Sequence, residues 1–195
     1  MKICLIDNYD SFTFNLEHQI AAFDVDIDVV RNDQITVEEV TARNYDGLVI
    51  GPGPSNPKNA GICLDLIKKL YQSTPILGVC LGHQCIGEAF GATIKKCSVI
   101  KHGKTSMISH DKTSIFKNIK NPYHVMRYHS LVIDAKTLSS DFQVSAWVEE
   151  NNNKTVMAIQ HKEYNLVGLQ FHTESIFTDQ GSKLIANFLE IINGK

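Results

Sequence analysis

Gly78-Val79-Cys80-Leu81-Gly82 sets a thiol between two glycines, where a short apolar run (76–79) gives way to a helical pattern (82–90). A cysteine at such a strand-to-helix turn is lifted to a helix N-terminus, where unpaired amides and the helix dipole favour a thiolate. The amide of Leu81 would then face the oxyanion formed when the sulfur adds to a carbonyl. A free cysteine is more often a buried apolar side chain, so the motif needs partners. Gln170-Phe171-His172-Thr173-Glu174 offers them. His172 and Glu174 are two residues apart and point the same way if the segment is extended. A carboxylate so placed orients an imidazole that serves as base and acid. Gly51-Pro52-Gly53 follows another apolar run (47–50). Glycine allows close backbone approach to a ligand, which makes the Gly53 amide a second oxyanion donor, although most Gly-Pro pairs are plain turns. Together these residues would carry out acyl chemistry through a covalent thioester.

The elements that must position them read as alternating strands and helices. Residues 2–6, 26–31, 47–50 and 76–79 are strand-like, with helical patterns at 13–22, 60–71 and 82–90 and a capping box of Thr36 with Glu39 opening a short helix. That alternation implies an α/β fold, an open and mostly parallel sheet with helices on both faces. Cys80 then sits at the C-terminal edge of a parallel strand, where such sheets bind ligands. After Gly91 the pattern becomes strand after strand: 92–97, 104–109, 124–128, 143–148, 155–160 and 166–171, closed by a helix over 181–192. A smaller mixed or antiparallel extension is expected there. Residues 1–195 read as one domain with no linker.

Composition narrows the function. A formal net charge of -2 with no basic run leaves no footprint for nucleic acid. No apolar run reaches the length of a membrane span, and the opening residues lack a signal-peptide pattern. The five cysteines (Cys4, Cys63, Cys80, Cys85 and Cys97) include no C-x-x-C pair, which argues against a disulfide framework or a zinc knuckle and for a reducing, cytoplasmic setting. Gly103-Lys104-Thr105 is not a phosphate-binding loop, because the glycine needed five positions earlier is Ser98.

The whole chain resembles the class I, triad-type glutamine amidotransferases, and more closely the small glutaminase subunits of aminodeoxychorismate synthase and anthranilate synthase. The motifs that carry the likeness are Asp7-Asn8-Tyr9-Asp10-Ser11-Phe12-Thr13, Pro52-Gly53-Pro54, Gly78 through Gln84, His102-Gly103-Lys104, Arg127-Tyr128-His129-Ser130-Leu131 and Gln170-Phe171-His172 with Glu174-Ser175. The resemblance implies a triad of Cys80, His172 and Glu174. It also implies glutamine binding by Gly51, Pro52 and Gly53, by Gln84, and by Ser130 with Leu131. It calls for no metal and no cofactor. It implies a partner, the chorismate-binding large subunit of a synthase, with His102-Gly103-Lys104 in contact with it. The folate-branch subunits are the nearer match, through His102 to Ser106 and Arg31-Asn32-Asp33; the tryptophan branch, or service to both, stays open. A cysteine peptidase or other hydrolase would share the elbow and differ in substrate. Two positions depart from the family pattern. Thr173 stands where proline is usual, and Gly51 where serine is common, a change expected to loosen the oxyanion loop.

Overall fold

In β1 (Lys2–Asp7) the apolar side chains alternate between two faces, and both faces are buried. Ile3 and Leu5 enter one core, Cys4 and Ile6 the other. A strand of this kind requires cover on both sides, and the rest of the chain provides it. The computed structural model describes residues 1–150 and 153–194. After β1 come α1 (Thr13–Ala21), β2 (Asp26–Arg31), α2 (Val37–Ala42), β3 (Gly47–Ile50), α3 (Cys63–Leu70), β4 (Ile76–Val79) and α4 (Leu81–Ala89). The second half contributes β5 (Ile94–His110), β6 (Tyr123–Ile133), β7 (Phe142–Glu150), β8 (Asn153–His161), β9 (Leu166–Leu169) and α5 (Gly181–Ile192). Short 3-10 turns lie at Pro57–Asn59, Ser114–Phe116 and Ala135–Thr137.

The nine strands form one sheet in the order β2-β1-β3-β4-β9-β8-β7-β5-β6. Pairing is parallel from β2 through β9 and antiparallel from β9 outward. This is the α/β sheet with an antiparallel extension that the sequence pattern implies. Leu16 and Ile20 of α1 pack with Leu184, Ile185 and Phe188 of α5 on the face of Ile3 and Leu5. Val40 of α2, Leu66 and Ile67 of α3, and Cys85 and Ile86 of α4 pack on the face of Cys4 and Ile6. The capping box is present: Thr36 Oγ1 accepts from the Glu39 amide at 3.2 Å, and the Thr36 amide donates to Glu39 Oε2 at 2.8 Å.

Three expected boundaries move. Segments 92–97 and 104–109 are one 17-residue strand, β5, interrupted by register shifts against β6 between Lys96 and Lys101 and between His102 and Lys104. Gly103 sits at the second shift with φ +64°, so the break in apolar alternation marks a bulge inside a strand, not its end. The expected helix over 60–71 is shorter, α3 starting at Cys63, because Gly61 takes φ +53°, outside the helical region. The last strand ends at Leu169; the Gln170 amide still donates to Met157 O of β8 at 2.9 Å, and the chain then crosses to β6 through a single bridge from His172 to Met126.

Candidate active site

The cysteine lies where β4 turns into α4. Cys80 extends the parallel pairing by one bond, its amide donating to the Leu169 carbonyl at 2.8 Å, and then turns sharply with φ 54° and ψ −100°. Such a conformation strains any residue with a Cβ. The flanking glycines work by close approach. A Cβ on Gly82 would come within 2.1 Å of the Ile50 carbonyl oxygen, and one on Gly78 within 2.5 Å of the Gly82 backbone. The first turn of α4 is thereby pressed against the end of β3, which brings the Gly51–Gly53 loop beside Cys80. α4 itself is buried from Leu81 to Gly87, so the elbow is anchored by the core.

His172 and Glu174 are both almost completely buried, with Nδ1 and Oε1 only 2.5 Å apart. The pairing is as expected, but its geometry is not that of an extended strand. Glu174 folds back through a turn, with the Thr173 carbonyl held by Gln19 Nε2 at 2.7 Å. The His172 backbone is fixed on both sides: its amide donates to Met126 O at 3.1 Å, and its carbonyl accepts from Thr178 Oγ1 at 2.5 Å. Tyr128 and Phe12 meet its ring edge-on, with centroids at 5.3 and 6.1 Å. Nε2 makes no hydrogen bond of good geometry among the described residues, and the Cys80 sulfur beside it acts mainly through charge. Burial opposes a charge on this imidazole, but the Cys80 sulfur and then Glu174 outweigh it and hold the histidine well above its ordinary pKa. A protonated His172 beside Cys80 is the arrangement that supplies an acid for a leaving group.

A cavity of about 210 Å³ opens over the sulfur, lined among others by Gly53, Cys80, Leu81, Gln84, Ser130 and Leu131. Four of the six expected glutamine-binding residues, Gly53, Gln84, Ser130 and Leu131, come together there with Cys80 and Leu81. Gly51 and Pro52 do not line the cavity; they are buried behind it. The Gly51 carbonyl accepts from Asn8 Nδ2 at 2.8 Å and its amide donates to Ile6 O at 3.0 Å. At Gly53 a Cβ would meet Asn8 Cβ at 2.5 Å and Leu81 Cδ2 at 2.8 Å, so only glycine lets the loop close on the elbow. Gln84 is one turn into α4, its amide bonded to the Cys80 carbonyl at 3.2 Å. Its Nε2 donates to Leu131 O at 3.1 Å and to Gln170 Oε1 at 3.2 Å, and Gln170 Nε2 lies 3.9 Å from the sulfur.

The model of the glutamine amidotransferase class-I family matches residues 4–192. This chain belongs to that family. It is 42% identical to anthranilate synthase component 2 of Pseudomonas putida, over all of both chains. It is 46% identical to aminodeoxychorismate synthase component 2 of Escherichia coli (strain K12), over 96% of this chain and 98% of that one. The crystal structure of a Thermoplasma acidophilum protein assigned as a GMP synthase subunit superposes with a TM-score of 0.87 at 28% identity, covering 100% of this chain and 94% of the other.

Four further residues of this amidotransferase site carried no role in the sequence reading. Asn8 ties the Gly51–Gly53 loop down, accepting from Asn32 Nδ2 at 2.8 Å and from the Cys63 thiol at 3.2 Å while it holds Gly51. Gln170 links Gln84 to the sulfur. His129 lines the cavity and Arg127 lies behind it, the two hydrogen-bonded to each other. Arg127 had a signal of its own. Val125, Arg127 and His129 share one face of β6, so a cation sits at a core position of an apolar strand, which demands buried partners.

Proposed function

We propose that this chain hydrolyses L-glutamine as the small component of a two-component synthase that aminates chorismate, and that it serves the folate branch by making 4-amino-4-deoxychorismate. The observation that carries the chemistry is the placing of the strained Cys80, next to the His172–Glu174 pair, in the floor of a small polar cavity. About 210 Å³ suits one amino acid and falls below the roughly 300–1,000 Å³ of sites for drug-sized ligands.

Cys80 Sγ adds to the side-chain carbonyl carbon of glutamine, and the amides of Gly53 and Leu81 receive the oxyanion. His172 gives its Nε2 proton to the nitrogen, the C–N bond breaks, and ammonia leaves. Water then attacks the γ-glutamyl thioester while His172 takes its proton, which frees glutamate and restores the thiolate–imidazolium pair. Gln84 has committed its NH₂ group to Leu131 and Gln170, so its Oε1 remains to accept from the substrate ammonium. Ser130 and Leu131 lie at the cavity edge for the carboxylate.

The choice of branch rests on likeness at His102 to Ser106 and Arg31 to Asp33, since relatives of both kinds are similar to this chain. Reconstitution with each type of large subunit, chorismate and glutamine tests it. Aminodeoxychorismate is the expected product; anthranilate as the sole glutamine-dependent product overturns the branch. Cys80→Ala tests the chemistry. It should abolish the glutamine-dependent reaction and leave the ammonium-dependent reaction of the complex intact. Glutamine hydrolysis surviving in Cys80→Ala refutes the nucleophile.

A further inference from the structure

The edge of the glutamine cavity has a weakness in its backbone. β6 pairs with β5 at His129 opposite Lys101 and at Leu131 opposite Lys96, and β5 bulges between those two points. Ser130 therefore has no partner in the ladder, although His129 and Leu131 on either side of it do, and at this point the sheet alone does not fix the segment meant to receive the amino-acid head group. Side chains take over. The Leu131 carbonyl accepts from His129 Nδ1 at 3.1 Å and from Gln84 Nε2 at 3.1 Å.

An imidazole can make the first of these bonds only if its proton is on Nδ1. Arg127 decides that. Its guanidinium can only donate, and its Nε lies 2.9 Å from His129 Nε2. Nε2 must accept, which leaves the proton of the neutral ring on Nδ1. Arg127 is fully buried and is itself oriented by its Nη1, which donates to Glu150 Oε2 at 2.9 Å and to Ser106 Oγ at 3.0 Å. Glu150 is shared with Lys101 at 3.2 Å. The titratable groups that act on His129 from other elements are His83 of α4 and His172, and both lower its pKa. Burial, and then Arg127, hold its pKa at about 3, so the ring is neutral throughout the physiological range.

We propose that Arg127 is a positioning residue of the glutamine site: by donating to His129 it fixes the Nδ1–H tautomer, which holds the Leu131 carbonyl and so shapes the Ser130–Leu131 edge where the head group binds. This rests on the reading of the cavity as a glutamine site. It also assigns Glu150 and Ser106, remote from the sulfur, to the orientation of that edge through Arg127.

Arg127→Lys is the informative variant. It keeps a cation for Glu150, but one ammonium cannot reproduce the fork that serves Glu150, Ser106 and His129 together. Three measurements on the full chain decide. In the first, ¹⁵N spectra of the His129 ring from pH 5.5 to 8 should show an unprotonated Nε2 throughout in the parent. In Arg127→Lys they should show either an Nε2–H tautomer or a titration within that range. In the second, glutamine affinity is measured by calorimetry in the Cys80→Ala background, where no turnover occurs. It should weaken roughly tenfold on adding Arg127→Lys, the scale of one neutral hydrogen bond. In the third, alkylation of Cys80 by iodoacetamide, which has no head group to bind, should keep its rate in Arg127→Lys. An unchanged His129 ring, or unchanged glutamine affinity, overturns the proposal; a parallel loss of alkylation marks a general structural role instead. Should Arg127→Lys not fold, His129→Gln removes the ring while leaving Arg127 and Glu150 paired, and glutamine affinity equal to the parent's then overturns it. Failure of Cys80→Ala itself to bind glutamine would refute the cavity reading, whereas the ring spectra test the tautomer independently.

Discussion

Cys80, the proposed nucleophile, sits on a backbone that resists a side chain, and the cost of that arrangement can be measured by comparing Cys80→Gly with Cys80→Ala. Both variants lose the sulfur, so the burial of Sγ cancels between them. They differ in the Cβ alone. At ordinary positions glycine is less stable than alanine by roughly 0.5–1 kcal/mol, because the unfolded chain is freer. At φ 54° and ψ −100° the alanine keeps the strain of a Cβ in a sparsely populated region, on the order of 1–3 kcal/mol, and the glycine does not. With about 2 kcal/mol of strain, the usual order reverses and Cys80→Gly is more stable by about 1 kcal/mol. In a domain of this size that is roughly 2–4 °C in Tm. Urea denaturation of the two variants, with thermal scans beside it, provides the readout. Cys80→Ala more stable than Cys80→Gly by the ordinary margin would show that the elbow stores no strain at Cys80.

His172→Ala should lower glutamine turnover by about 10²–10⁴-fold, the usual worth of a positioned acid and base. Glu174→Ala should cost less, since it orients the ring without transferring protons; the reverse order in two folded variants contradicts the assigned roles. Gly53→Ala places a Cβ 2.5 Å from Asn8 Cβ and 2.8 Å from the Asn8 carbonyl, which displaces the oxyanion loop. Its kcat should fall about 10²–10³-fold with the fold retained by circular dichroism, and a kcat within twofold of the parent would remove Gly53 from the oxyanion site. Acid should destabilise the fold through His83 and His129, both held at a pKa of about 3 by burial. The unfolded chain takes up two protons near pH 6.5 that the folded chain refuses down to about pH 3, so stability falls as pH drops through that window, by about 2 kcal/mol per histidine at pH 5. His172 has the opposite sign: its contribution is complete below pH 6.5 and declines as pH rises from there through its raised pKa. Urea midpoints at pH 7.5 and 5.0 that coincide would contradict the neutral burial of His83 and His129.

What the sequence made legible was local. The elbow could be read because strand, glycine, cysteine, glycine and helix are adjacent, and the parallel half of the sheet because apolar runs alternate with helical ones. That β9 lies beside β4, in register from Val79 to Leu169, was not legible in the sequence, and it is this adjacency that brings Cys80 and His172 to one edge of the sheet. The polar supports were not legible. Asn8 reaches Gly51 across 43 positions, and Gln84 reaches Gln170 across 86. Nothing near any of these residues announces its partner. The bulges in β5 were hidden for a related reason. A bulge breaks the two-residue alternation just as a strand end does, and only the pairing with β6 tells them apart.

The two departures from the family pattern follow the same rule: local identity matters less than what holds the backbone. Gly51 looked like a source of looseness in the oxyanion loop. It is instead bonded from both sides, to Ile6 through its amide and to Asn8 through its carbonyl, and a Cβ there would stand 2.9 Å from the Ile6 carbonyl oxygen. Here a serine would press on β1, so glycine is the residue that lets the loop seat against the sheet. Thr173 lacks the fixed φ that proline would give. Its carbonyl is held by Gln19 from α1, and Gly181 of α5 packs so closely on it that a Cβ would come within 2.1 Å. The rigidity a proline would supply between His172 and Glu174 comes from two helices that converge on the turn. The imidazole and carboxylate are therefore positioned by tertiary contacts, and the short Nδ1–Oε1 contact is kept without the family's residue between them.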